Sequence, residues 1–312
     1  MFEFTILWTL IIAVLLAFLC FKRPSKVWQT INMRERETEP NLTNVAQDNE
    51  QRPDFWNLVR SRQPYDVFLV LDIEGTCELG SSFDYPNEII EFPVCLMRWK
   101  DDRQRRELEV VDEFRSFVKP SWRPTLTRFC KELTGISQLQ VDSAPSFMEV
   151  LQSVFQFLVA HGVLDEDSRE PLLRFCWCSD GPYDIRDFVI KQCFISKIVV
   201  PDWLRGDALD VKKLVTNWSI SQKYQGRKMK VMLSRNHPHR PSLNISSQLR
   251  VLGLPAFQGR KHSGIDDARN IARILSECAR RNISLQPNTR IDSNRRWSWM
   301  GKSGQVLQGL IG

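Results

Sequence analysis

A chain of 312 residues with 42% apolar side chains is long and apolar enough for one ample domain with a real core plus accessory segments, which excludes a wholly disordered protein. The formal charge is only +6, from 43 Lys and Arg against 37 Asp and Glu, yet Val211 to Ile265 holds eleven basic residues and no acidic one. A one-sign stretch of that length reads as a solvated face toward a polyanion, or as a basic loop with no ligand.

Phe4 to Phe21 is eighteen residues without charge. As a helix it would be about 27 Å long, enough to cross a bilayer core. Glu3 precedes the run and Lys22, Arg23 and Lys26 follow it, unlike the basic start of a cleaved leader. The expectation is a transmembrane signal anchor over 1–21, with the rest of the chain facing the cytoplasm; a removed leader is the alternative. Residues 22–63 are polar and aperiodic and read as a tether, whose Phe55 and Trp56 either dock on the domain or stay exposed. The domain is expected over 64–282. Val67–Ile73 reads as a strand buried on both faces, and Glu88–Trp99 and Val110–Val118 complete an antiparallel meander. Helical patterns cover Thr125–Leu133 and Ser146–His161, and Arg174–Ser179 is a further strand. Four more helices follow at Asp184–Phe194, Leu209–Trp218, Leu243–Leu254 and Ile265–Arg281. Strands first, then alternating helix and strand, indicate one mixed-sheet α/β domain. Residues 283–312 read as a basic, flexible tail, although Arg295-Arg296-Trp297-Ser298-Trp299 could also stack on bases.

The eight cysteines, Cys20, Cys77, Cys95, Cys130, Cys176, Cys178, Cys193 and Cys278, form no CxxC pair and show no Cys/His spacing suited to zinc. Several lie in apolar runs, as reduced cysteines do, which fits a reducing compartment.

Acidic residues at three places carry the chemical signal. Asp72 and Glu74 lie two apart at the end of the first strand and so share a face. Two buried carboxylates repel unless a cation joins them, although D-x-E also arises by chance. Asp184 follows the strand Arg174–Ser179 at a helix start, where it or Asp180 could equally be an N-cap. His262 precedes the last helix and Asp267 lies in its first turn, where Asp266 and Asp267 could simply favour the helix dipole.

Taken together, the order D-x-E, Asp, H-x4-D is the pattern of the DEDDh exonucleases. Asp72-Ile73-Glu74-Gly75-Thr76-Cys77-Glu78, Glu88-Ile89-Ile90-Glu91-Phe92-Pro93-Val94, Leu133-Thr134-Gly135-Ile136 and Val141-Asp142 resemble the Eri-type exoribonucleases over about 66–281. The resemblance implies an RNase H-like fold, a mixed five-stranded sheet flanked by helices, beside the expected N-terminal transmembrane helix. It implies a 3′→5′ exoribonuclease acting on RNA 3′ ends in processing or turnover and releasing nucleoside 5′-monophosphates. Two Mg²⁺ or Mn²⁺ ions are implied. Asp72, Glu74 and Asp267 would hold one, with Asp72 bridging to a second that Asp184 supports directly or through water. His262 would be the general base, and Gly75, Thr76, Leu133, Thr134 and Ile136 would cradle the terminal nucleotide, Leu133 and Ile136 unless they are ordinary core. Gly75 departs from the family, where Ala is usual; Ser219–Pro241 is longer than usual; and no SAP-like module is evident. A DNA exonuclease of the same superfamily, or a catalytically silent membrane-tethered RNA-binding protein, stays open on sequence alone.

Overall fold

The first strand, β1 (Val67–Val70), is buried on both faces because it lies in the middle of the sheet. It pairs antiparallel with β3 (Ile89–Trp99) on one edge and parallel with β5 (Phe175–Ser179) on the other. This computed structural model describes residues 63–224 and 242–310, apart from 83 and 102. The expected anchor, residues 22–62 of the tether and residues 225–241 of the basic stretch therefore lie outside the described residues. Among the described residues no helix is long and apolar enough to cross a membrane.

The expected strand Val67–Ile73 is interrupted. β1 stops at Val70, and β2 (Glu74–Gly75) resumes after a three-residue break. The pairing with β3 keeps one register across that break, from Val67↔Arg98 through Val70↔Cys95 to Glu74↔Glu91. β1 and β2 are thus two halves of one strand. With β4 (Leu108–Phe117) on the far edge of β3 and β6 (Leu209–Asp210) beside β5, the spatial order is β4, β3, β1 with β2, β5, β6. Counted this way the mixed sheet has five strands, the number that the resemblance implied, although the fifth falls where a helix was expected; with the break it has six.

Alternation sorts the strand's side chains to two cores. Val67, Leu69, Leu71 and Ile73 join a cluster with Val150, Val154 and Leu158 of the helix Phe147–Ala160. Ser146 and Glu149 start that helix with a reciprocal capping box. Phe68 and Val70 face the other way, toward Val215 of the helix Val211–Lys223, Leu249 of Ile245–Val251, and Ile265, Ala268, Ile271 and Leu275 of Gly264–Arg280. The described helices are labelled in chain order: α1 (Arg128–Thr134), α2 (Gln138–Asp142), α3 (Phe147–Ala160), α4 (Ile190–Ile195), α5 (Val211–Lys223), α6 (Ile245–Val251) and α7 (Gly264–Arg280). Two expected helices begin differently. Asp184–Val189 is a π-helical turn that feeds α4, and Leu209–Asp210 is strand before α5 starts.

The expected flexible tail is instead part of the fold over residues 283–310. Trp299 and Met300 are buried in the α3-side core, with Trp297 stacked on Trp299 at 6.2 Å between ring centroids. Trp299 also packs edge-on against Phe194 of α4, its indole N–H donates to the Asp84 carbonyl, and Arg295 pairs with Asp187 at 2.5 Å. The aromatic residues cover an apolar flank of α4 that would otherwise meet water. Their short spacing between charged residues hides them from a periodicity reading.

Candidate active site

The break in the central strand creates the site. Leu71 N–H still donates to Cys178 O at 3.0 Å, as a ladder continuing toward β5 would require. The next inward amide, Ile73 N–H, meets no strand carbonyl; it donates to Asp184 Oδ1 at 2.8 Å, from the turn after β5. Asp184 is therefore not an N-cap. It takes the place of the missing strand partner, 111 residues away in sequence.

Strand alternation puts Asp72 and Glu74 on the same side as Phe68 and Val70, the side on which α7 packs. Asp267, in the first turn of α7, then arrives over the break. One carboxylate oxygen from each of Asp72, Glu74 and Asp267 lies within 4.8 Å of the others. Close approach here depends on Gly264 at the start of α7, where a Cβ would stand 2.5 Å from Asp72 O. Asp267 Oδ2 also accepts from Ser263 N–H at 3.2 Å, so the carboxylate closes its own helix start.

Glu91, directly opposite Glu74 on β3, is a fourth acid at the cluster that sequence reasoning did not single out. Like charges facing each other across strands are unfavourable. Glu91 is fully buried, but Arg115 Nε donates to its Oε1 at 2.7 Å and Gly264 N–H to its Oε2 at 3.1 Å. It links β4 to the start of α7. The only advance signal was an acid inside an otherwise apolar strand.

The carboxylates are strained as anions. Burial, then Asp184, Asp267 and Glu74, holds Asp72 well above the usual carboxylate range. Burial, with Asp267 and Glu91, lifts Glu74 to about 9. Burial lifts Asp184 to about 7 although the Ile73 amide opposes it, and lifts Asp267 to about 6 against the amides of His262 and Ser263. A divalent cation held by Asp72, Glu74 and Asp267 would relieve their mutual repulsion, and an all-oxygen donor set suits a hard ion. The residues therefore fit the expected metal.

His262 is exposed, in a left-handed backbone conformation with φ of 57°. Partial burial and the charges of Arg260 and Lys261 lower its pKa below the ordinary imidazole value, so it is neutral at pH 7. Arg260, also missed from the sequence, fixes this loop. Its guanidinium donates to Glu132 O and Leu133 O at the end of α1 and to His262 O at 3.0 Å. The imidazole stands between two cavities. One, of about 340 Å³, is lined by Glu74, Gly75, Phe129, Leu133, Thr134 and Phe188. The other, of about 320 Å³, is lined by Asp72, Lys212, Asn244, Phe257, Lys261 and Asp267. Lys212 is paired with Asp180 at 3.1 Å there, and Gln248 holds the other Asp180 oxygen.

Of the residues expected to cradle a nucleotide, Gly75, Leu133 and Thr134 line the first cavity. Ile136 does not; it is buried with Ile90, Leu126, Cys130 and Val141 because the left-handed Gly135 turns the chain inward. Thr76 Oγ1 accepts from the Glu88 N–H at 2.9 Å, holding the turn after β2. The unusual Gly75 has a local cause: a Cβ there would stand 2.6 Å from Phe188 Cε1.

Comparison with known proteins places the chain in a family. A family model described as "Exonuclease" (RNase_T) matches residues 69–193. The 3′-5′ exonuclease eri1 of Schizosaccharomyces pombe is 34% identical over 252 residues, covering 76% of this chain and 74% of the relative. The chain belongs to the Eri-type family of DEDDh 3′→5′ exoribonucleases. Another Eri-type member, 3′-5′ exoribonuclease 1 of Rattus norvegicus, is 30% identical over 234 residues, 75% of this chain but 59% of the rat protein. The chain thus spans less than two thirds of that longer relative. The nuclease domain of 3′hExo, a DEDDh family member solved bound to rAMP, matches with a TM-score of 0.58 and 28% identity over 74% of this chain and all of that domain.

Proposed function

We propose that this chain is a metal-dependent 3′→5′ exoribonuclease that trims RNA 3′ ends in RNA processing or turnover and releases nucleoside 5′-monophosphates. The observation that carries the reading is the meeting of Asp72, Glu74 and Asp267 within 4.8 Å beside a cavity of about 340 Å³. Asp72, Glu74 and Asp267 would hold one Mg²⁺ or Mn²⁺. Asp72 would reach a second, which Asp184 would support directly or through water. Bound there, the ions supply an activated water and stabilise the departing 3′ oxygen.

The chain's own residues do the rest. The terminal nucleoside enters between Leu133, Phe129 and Phe188, with Gly75 allowing close backbone approach. This size and lining suit one nucleotide, and the rAMP bound to the 3′hExo domain is of the product class expected here. His262, uncharged at pH 7, accepts the proton of the attacking water at a ring nitrogen. Its exposed loop lets the imidazole reach the substrate, while Arg260 limits how far it strays. Lys212 and Lys261 in the neighbouring cavity, and the basic stretch beyond, neutralise phosphates upstream of the cut.

The apolar run Phe4–Phe21 further suggests a single-pass anchor with the nuclease domain on the cytoplasmic side. That part rests on sequence pattern alone. Digestion of the domain by protease added to sealed vesicles is the expected result; protection would reverse the topology.

The enzymatic test uses 5′-labelled RNA and DNA of one sequence with Mg²⁺ or with chelator. Progressive shortening of RNA that needs Mg²⁺ is expected. Equal or faster loss of DNA would make the enzyme a DNA exonuclease, and binding without shortening would make it a silent RNA-binding protein.

A further inference from the structure

Behind the nucleoside cavity lies a pair of thiols for which the proposed reaction has no use. Cys77 lines the cavity two residues beyond Gly75, and Cys130 is fully buried in α1 just beneath it. Cys77 packs against the small apolar cluster that contains Cys130. The backbones are tied as well. Thr127 Oγ1 donates to Cys77 O at 2.7 Å and accepts from Cys130 N–H at 3.0 Å. Cys130 Sγ also lies 3.7 Å from Gly75 O. Both sulfurs are free. The other described cysteines are all buried and none lines either cavity beside the carboxylates.

We infer that Cys77 and Cys130 are a modification site, a thiol pair that a peroxide converts into a disulfide, closing the nucleoside cavity to an RNA end. The second half of this inference rests on the functional reading above. The peroxide reaches the pair through the cavity that Cys77 lines. Its O–O bond breaks, one oxygen stays on one of the two sulfurs as a sulfenic acid, and the other leaves as water. The second sulfur then forms the S–S bond, the S–O bond breaks, and a second water leaves with that thiol's proton. Two electrons pass from the thiol pair to one peroxide. Thr127, which holds Cys77 O and Cys130 N–H together, makes each cysteine the other's partner for this step.

The consequence follows from bond lengths. A disulfide holds its sulfurs about 2.05 Å apart, far closer than two unbonded thiols. Cys77 must therefore move toward α1, and the turn that carries Gly75 directly after Glu74 moves with it. Leu133 and Thr134, one turn beyond Cys130 in α1, form the opposite wall. Oxidation draws the two walls together.

The test takes the full chain, reduced, in Mg²⁺ buffer, and treats it with hydrogen peroxide before blocking free thiols. Peptide mapping should then show Cys77 linked to Cys130. RNA shortening should fall by about tenfold or more and return with dithiothreitol, the loss being read as a kcat/KM ratio. Cys130→Ala, compared with its own untreated rate, should keep its activity under the same dose. Absence of the linked peptide overturns the site, and that measurement needs no variant to fold. Equal inactivation of Cys130→Ala, or a linked protein that still trims RNA at full rate, overturns its control of the cavity. A linked peptide in a chain whose reduced form never shortens RNA would instead overturn the functional reading and leave the thiol chemistry standing.

Discussion

The two halves of the central strand differ as sharply as any two regions of this protein. Val67–Val70 pairs on both edges, packs on both faces and carries only apolar side chains. Within the next four residues the same register holds Asp72 and Glu74, a gap in the ladder, and a carboxylate from Asp184 in place of a strand carbonyl. The first half is built for stability. The second half gives stability up, because buried like charges oppose folding until something positive arrives. Function thus sits where the regular pattern is broken on purpose and the surrounding sheet holds it in place.

The largest effect should come from the broken half. Asp72→Asn removes the carboxylate shared by the cluster, and turnover on RNA should fall by more than about 10³-fold, beyond the loss of a single transition-state contact. The same variant should raise the unfolding midpoint of the metal-free protein near pH 7, because one repelling charge is gone. A variant that lost activity by unfolding would move the midpoint the other way. His262→Ala should lower turnover by about 10²–10⁴-fold while leaving Mn²⁺ affinity, measured by calorimetry, close to wild type. A large loss of Mn²⁺ affinity would make the imidazole a ligand rather than a base.

The regular half should respond in the opposite sense. Leu69→Ala leaves a cavity in a fully buried position and should cost about 2–5 kcal/mol in denaturant unfolding. The protein that stays folded should trim RNA at a nearly normal rate.

Acidity sharpens the comparison further. Glu74, Asp184 and Asp267 have folded-state values of about 9, 7 and 6, all above their ordinary values. The folded, metal-free protein therefore binds protons more tightly than the unfolded chain. Their contribution to stability is present below the ordinary carboxylate range and is lost as pH rises toward these values. Lys191, buried against Tyr85 O and lowered to about 8, acts in the opposite sense above that pH. Between pH 5 and about 7.5 the carboxylates should dominate: unfolding midpoints should fall with chelator and hold or rise with Mg²⁺. Midpoints that rise with pH in chelator would contradict the reading.

The smallest effect tests a local detail. Gly75→Ala must displace the edge of the Phe188 ring and should cost about 1 kcal/mol, measured by unfolding, with Phe188→Leu in the same chain recovering most of it.

What the sequence could reveal follows from the range of each interaction. The apolar run Val67–Ile73 and the D-x-E and H-x4-D spacings are all local, and they were legible; the short helix Gln138–Asp142, with its capping box at Ser137, was not. The bond from Ile73 to Asp184 joins chain more than a hundred residues apart, so sequence alone left Asp184 open as a helix cap. Arg260 reaching Leu133 O, and Arg115 holding Glu91, are likewise visible only once the chain has folded. The buried tail was missed for a different reason. Trp297 and Trp299 follow no helical or strand period, and their burial depends on an α4 flank that only the fold creates.

The central claim is that the broken strand holds divalent cations between Asp72, Glu74 and Asp267. Crystals of the protein grown with Mn²⁺ and measured at the manganese edge test it most directly. The account predicts an anomalous peak bonded to all three carboxylates; a site that stays empty at saturating Mn²⁺, or manganese bound only elsewhere, would contradict it.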